Sequence, residues 1–172
     1  NRHVVRIITA GTLTEEHLLD SSSDNFLCVV QSNDTQFCCF FYDISTGIIH
    51  YFTDILTILK PLIQHKKPSE IIYSQNAMLE ILNDIQIPKT YQEQTEIYIL
   101  PSLMPYIEIM ESLEQQALSV LSHYLKRTQC RDTLLIQPPI RHIYSDFLQL
   151  DDAGQINLEI FKQYNMKKIS NY

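Results

Sequence analysis

Glycine is nearly missing. Only Gly11, Gly47 and Gly154 occur in 172 residues, and none opens a GxxxxGK[ST] or GxGxxG run. Backbone amides wrap a phosphate only where side chains are out of the way, so the chain has neither a P-loop nor a dinucleotide fingerprint. There is no GxSxG either, which removes the nucleophile elbow of serine hydrolases. The four cysteines, Cys28, Cys38, Cys39 and Cys130, form no CxxC, and the six dispersed histidines form no HxxxH or HExxH. A zinc centre of ordinary spacing is therefore not expected. Adjacent Cys38 and Cys39 would point to opposite faces of a strand, and all four cysteines read as small core residues of a reduced protein. Basic residues are in the minority, 13 against 20 acidic, for a net charge of −7. Tight binding to duplex DNA through counterion release is not expected of such a chain. No apolar run approaches the ~18 residues of a membrane span, and the chain reads as soluble and cytoplasmic.

What is present is material for a core. Hydrophobic residues make up 45% of the chain, and a domain of this length buries roughly 70% of its unfolded surface. Residues 4–9 read as a strand and 12–19 as a short segment with capping-box character. Segments 26–31, 36–43 and 48–53 are near-continuous apolar runs joined by the turn formers "SNDT" and "ISTG", which predicts an antiparallel meander buried on both faces. The pattern then changes period. Residues 54–67 fit a helical stripe capped by Thr53 or Asp54, with Pro61 as a kink. Residues 68–74 read as a strand and 75–85 as a helix, a βαβα unit with a parallel crossover. Residues 95–100 are a further strand candidate. A long helix is predicted over 103–128, with Glu108, Glu111 and Glu114 early and Lys126 and Arg127 late, as the macrodipole favours. Residues 138–151 read as extended and 152–164 as a helix. The fold class is α/β, with a mixed sheet of about five strands flanked by helices.

A meander followed by βαβα is compatible with the ribonuclease H-like fold, whose nucleases gather acidic residues around two divalent ions. Asp43, Glu70 and Asp151 are the candidates for such a cluster. Each also has a plainer use: Asp43 opens a turn, Glu70 sits at a helix-to-strand junction, and Asp151 and Asp152 suit a helix N-terminus. From the residues alone the chain reads as a scaffold or interaction domain, with no catalytic, cofactor-binding or metal-binding residue assigned.

The motifs, taken in order, carry a resemblance. "VVRIITAGT" followed by "EEHLL", then "DNFLCVV", "YDISTGIIHYF", "KPSEIIYS", "LSVLSHYLKRTQ" and "LQLDDAGQINLEIF" resemble the connector domain of MutS DNA mismatch-repair proteins and its entry into the core and lever region. Each motif is weak alone; their order is specific. Ala10 stands where that family usually has Pro, and Gly154-Gln155 replaces a Thr-Arg-type pair. The resemblance implies a ribonuclease H-like connector over residues 1–130, and a linker with the first core helix over 131–172, cut from a much larger protein. It implies a non-catalytic role: joining the mismatch-binding domain to the core, relaying state between the DNA and ATPase ends, and offering a surface to MutL. ATP and Mg²⁺ would belong to the parent protein, as would contact with mismatched DNA and homodimer formation. Asn157 and Glu159 would lie at the junction with the core. Thr128 and Gln129 would order the exit from the long helix, and the apolar side of the last helix (Ile156, Ile160, Phe161, Tyr164) would lack its natural cover.

Overall fold

The computed structural model describes residues 25–129 and 134–143. The expected strand at 4–9, the segment at 12–19, Cys130, the candidate ligand Asp151, its neighbour Asp152, and the helix at 152–164 with Asn157 and Glu159 all lie outside the described residues.

Three consecutive strands form the meander: β1 (Phe26–Ser32), β2 (Gln36–Asp43) and β3 (Ile49–Ile55). β1 pairs antiparallel with β2, and β2 antiparallel with β3. Asn33 makes the first turn: its carboxamide oxygen accepts from the amides of Thr35 and Gln36. After β3, a 3-10 turn (Leu56–Ile58) leads into α1 (Leu59–Lys66). The chain crosses back to β4 (Glu70–Tyr73), which lies parallel to β1, and continues through α2 (Ala77–Ile81) to β5 (Lys89–Tyr91), parallel to β4. A 3-10 segment (Pro101–Ile109) precedes the long helix α3 (Ser112–Thr128). Residues 140–142 then return as β6 (Ile140–His142), parallel to β3. The sheet order is β5-β4-β1-β2-β3-β6, and from these pairings every strand except β2 points the same way.

Alternation divides the core in two, because successive residues of a strand face opposite sides. Leu27, Val29, Cys38, Phe40, Tyr42, Ile49, Tyr51 and Ile72 pack with Ala117, Leu121 and Tyr124 of α3. Cys28, Val30, Cys39, Phe41, Phe52 and Ile71 pack with Leu59, Leu62 and Ile63 of α1 and Met78 of α2. Cys38 and Cys39 thus lie on opposite faces, both fully buried. The register places Phe40 opposite Tyr51, and their rings stack at 4.8 Å, a cross-strand pair of the kind that holds a sheet in register.

The structure corrects four expectations. The first helix begins at Leu59, not Asp54, because β3 runs on to Ile55. Pro61 then stands in the first turn of α1, where its missing N–H removes no intrahelical bond, so it is no kink. The helix expected over 75–85 is confined to five residues. The strand expected over 95–100 is irregular, and β5 lies earlier, at 89–91. Segment 95–100 instead runs along α3, where the amides of Tyr98 and Leu100 donate to the hydroxyls of Ser119 and Ser122. Finally, the helix expected over 103–128 is two elements. Pro101 and Pro105 favour the 3-10 segment, and Met110 and Glu111 adopt extended backbone between them. The break is closed by a reciprocal capping box: Glu111 accepts from the backbone of Glu114, and Glu114 accepts from the Glu111 amide.

Candidate functional site

The turn "DISTG" shows most directly what its residues do. Asp43 Oδ1 accepts from the Ser45 amide (2.8 Å) and the Ser45 hydroxyl (2.6 Å), and Oδ2 from the Thr46 hydroxyl (2.9 Å). Partial burial pushes the Asp43 carboxyl up, but these hydrogen bonds outweigh it and hold it below the usual value. Gly47 closes the turn at φ +75°. A Cβ there would meet the Leu135 carbonyl oxygen at 2.5 Å, so the glycine is required both by conformation and by the chain lying against it.

That chain is residues 134–143. The Gln137 amide donates to the Gly47 carbonyl at 2.8 Å. The Tyr42 hydroxyl donates to the Leu135 carbonyl at 2.9 Å; burial, then the charge of Asp43, holds this phenol well above its usual pKa, so it remains a donor. β6 follows, and its side chains grip both faces of the sheet edge. Arg141, opposite Tyr51, turns to the α3 side and meets Glu114 at 2.9 Å and Glu111 at 3.4 Å. His142, opposite Phe52, turns to the α1 side: its Nε2 lies 2.7 Å from His50 Nδ1, and its ring stacks on Phe52 at 5.1 Å. Burial, then His142 and the Lys66 cation, lower the pKa of His50.

Glu114 is the centre of this arrangement. Its side chain is fully buried, and its carboxylate accepts from the Thr53 hydroxyl (2.9 Å) as well as from the Glu111 amide and Arg141. Sequence reasoning grouped Glu114 with Glu108 and Glu111 as dipole complements. The missed signal is its place in the row Glu114, Leu118, Leu121, Leu125, a charge inside the apolar stripe of α3, where burial demands a partner.

The acidic residues weighed as metal ligands are not brought together. Asp43 lies opposite Phe26 and Glu70 opposite Leu27, so the two carboxylates sit on opposite faces of the sheet. Glu70 is buried and accepts from the Thr90 hydroxyl (2.6 Å) and the Tyr124 hydroxyl (2.9 Å). Among the described residues no group of three or more His, Cys, Asp or Glu is placed to hold a metal ion. Burial pushes the Cys38 and Cys39 thiols well up, so neither is poised as a nucleophile. Thr128 donates its hydroxyl to the Tyr124 carbonyl at 2.8 Å, within its own helix. No helix among the described residues is long and apolar enough to cross a membrane.

No protein-family model matches the chain. Individual proteins do. DNA mismatch repair protein MutS of Ruegeria pomeroyi is 30% identical over 175 residues, covering 92% of this chain and 20% of that protein. MutS of Roseobacter denitrificans is 31% identical over 175 residues with the same coverage. MutS of Staphylococcus aureus is 27% identical over 173 residues, covering 96% of this chain and 19% of that protein. This chain is similar to one segment of these MutS proteins, as a fragment of such a protein would be. It spans about a fifth of the length of the MutS proteins it matches. Among solved structures, the catalytic core domain of BIV integrase covers 75% of this chain and 96% of its own, at 11% identity and a TM-score of 0.28; at that score the likeness carries no argument.

Proposed function

We propose that this chain is the connector segment of a MutS-type DNA mismatch-repair ATPase, built on a ribonuclease H-like sheet. In that role it has no active site of its own. It joins the mismatch-binding part of the parent protein to the core and ATPase parts, relays their state, and offers a surface to MutL. ATP, Mg²⁺, mismatched DNA and the homodimer contact belong to the parent protein, in the cytoplasm.

The observation that carries this reading is the alignment with MutS proteins along nearly the whole chain but only a fifth of theirs. The structure supports it in three ways. The meander-then-crossover order suits the proposed fold. The Asp-Ile-Ser-Thr-Gly motif has a local purpose, as the seat of residues 134–143. Two of the three candidate ligands face away from each other, which counts against the alternative, a ribonuclease H-like nuclease or resolvase.

The test is activity of the 172-residue chain. It is expected neither to hydrolyse ATP nor to bind mismatched duplex at physiological salt, while the parent protein lacking this segment loses its response to MutL. ATP turnover by the chain alone would reject the reading. So would cleavage of branched DNA with Mn²⁺ that disappears in Asp43→Asn, the outcome that belongs to the nuclease.

A further inference from the structure

Residues 134–143 differ from the rest of the described sheet in how they are held. β6 is three residues long and, among the described residues, lies at the sheet edge and pairs only with β3. Ile140 and Arg141 are exposed, so little apolar burial secures these two. Leu134 and Ile136, partly buried, pack against the α3-side core, and His142 stacks on Phe52; the polar contacts are Tyr42 to Leu135, Gly47 to Gln137, His50 to His142, and Arg141 to Glu114. The last of these is unlike the others. Arg141 is about half exposed, whereas Glu114 is fully buried. When β6 lifts away, the guanidinium gains water and the carboxylate keeps only Thr53 and the Glu111 amide. A buried carboxylate deprived of its cation must turn outward or take a proton. Either change disturbs the acceptor of the Glu111 amide, and so the start of α3. Gln115 extends the chain of contacts, because its side-chain nitrogen donates to the carbonyls of Ile107 and Met110 in the preceding 3-10 segment.

We propose that residues 134–143 form a releasable strap and that the Arg141–Glu114 pair is its latch, so that lifting the strap loosens the N-terminus of α3, 30 residues away in the sequence from Arg141 at Glu111. The coupling runs both ways: whatever disturbs the capping box of α3 also frees the strap. This device rests on the geometry of the chain and stands independently of the MutS reading.

Amide hydrogen exchange of the 172-residue chain, read residue by residue, tests it. In Arg141→Met, exchange at Gln137, at β6 and at Glu111 should rise together by roughly tenfold or more, as expected for local opening, while Val29 and Val30 in β1 stay unchanged. Adding Glu114→Gln to Arg141→Met should lower exchange at Gln137 and β6 again, because the stranded charge is gone but an acceptor remains. Arg141→Lys, which keeps the cation, should fall between. The proposal is overturned if Glu111 does not follow the strap, if β1 opens in step with it, or if the double variant exchanges as fast as or faster than Arg141→Met.

Discussion

Among the described residues two have left-handed backbone, and they show how differently one conformation can be used. Gly47 (φ +75°) has the Leu135 backbone against it, whereas Lys67 (φ 48°) ends α1 with its amide on the Ile63 carbonyl and its side chain exposed. A left-handed non-glycine residue costs about 1–2 kcal/mol, and at Gly47 a methyl group would also force the strap away. Gly47→Ala should therefore destabilise the chain by about 1–3 kcal/mol. Lys67→Gly should be neutral or stabilising by about 0.5 kcal/mol, since relief of strain is offset by a more flexible unfolded chain. Urea denaturation of both variants checks the pair; equal losses would mean that the contact with Leu135 contributes nothing. The same comparison shows what could be read in the sequence. Asp43, Gly47 and the turn between them were legible, because turn chemistry is local. Arg141 and Glu114 were not, since their meeting depends on a strand returning to the far edge of the sheet.

At the level of elements, period decided what could be foreseen. The three meander strands were legible to within two residues because their apolar runs end in turn formers, and β4 followed from the change of period after them. The failures share one cause: an apolar pattern does not say which backbone carries it. Segment 95–100 has a strand's composition but pairs with serine hydroxyls of α3 rather than with a strand. Ser119 and Ser122 are fully buried, so the amides of Tyr98 and Leu100 have no ready substitute. Ser119→Ala and Ser122→Ala should each cost about 1–3 kcal/mol, the penalty for a buried donor left without an acceptor. The effect should be confined to the contact between 95–100 and α3, with faster exchange at Tyr98 or Leu100 and none at the meander. A loss below about 0.5 kcal/mol, the scatter of neutral surface changes, would show that this segment is not held by its hydroxyl partners. The break at Met110–Glu111 admits a parallel test. Glu111→Ala removes half of the capping box and should cost about 1 kcal/mol, measured by thermal unfolding.

At the scale of the whole fold, the sheet formed by the described residues ends in two short strands, β5 and β6, and short edges offer little template for unwanted pairing. They are secured differently. β5 follows α2 in a crossover unit, whereas β6 is attached through side chains that include a histidine pair. This makes the β6 edge sensitive to pH. His50 lies against His142, with the Lys66 cation acting on it, and its pKa in the folded chain lies below the ordinary 6.5. Above about pH 6.5 the ring is neutral in both the folded and the unfolded chain, and pH has no hold on it. As pH falls below that value the unfolded chain takes up the proton first, so stability declines until the folded-state pKa is reached, and no further. The decline should be small, because the pair is partly open to solvent. Asp43 contributes only at much lower pH, since its carboxyl is held below the usual carboxylate value. Urea midpoints measured from pH 7.5 to 6 should therefore fall in the unmodified chain and stay level in His50→Gln. If the loss is local to the β6 edge, exchange at Gln137 should rise over the same interval while Val29 remains protected. A slope that survives in His50→Gln would place the proton-sensitive group elsewhere in the fold.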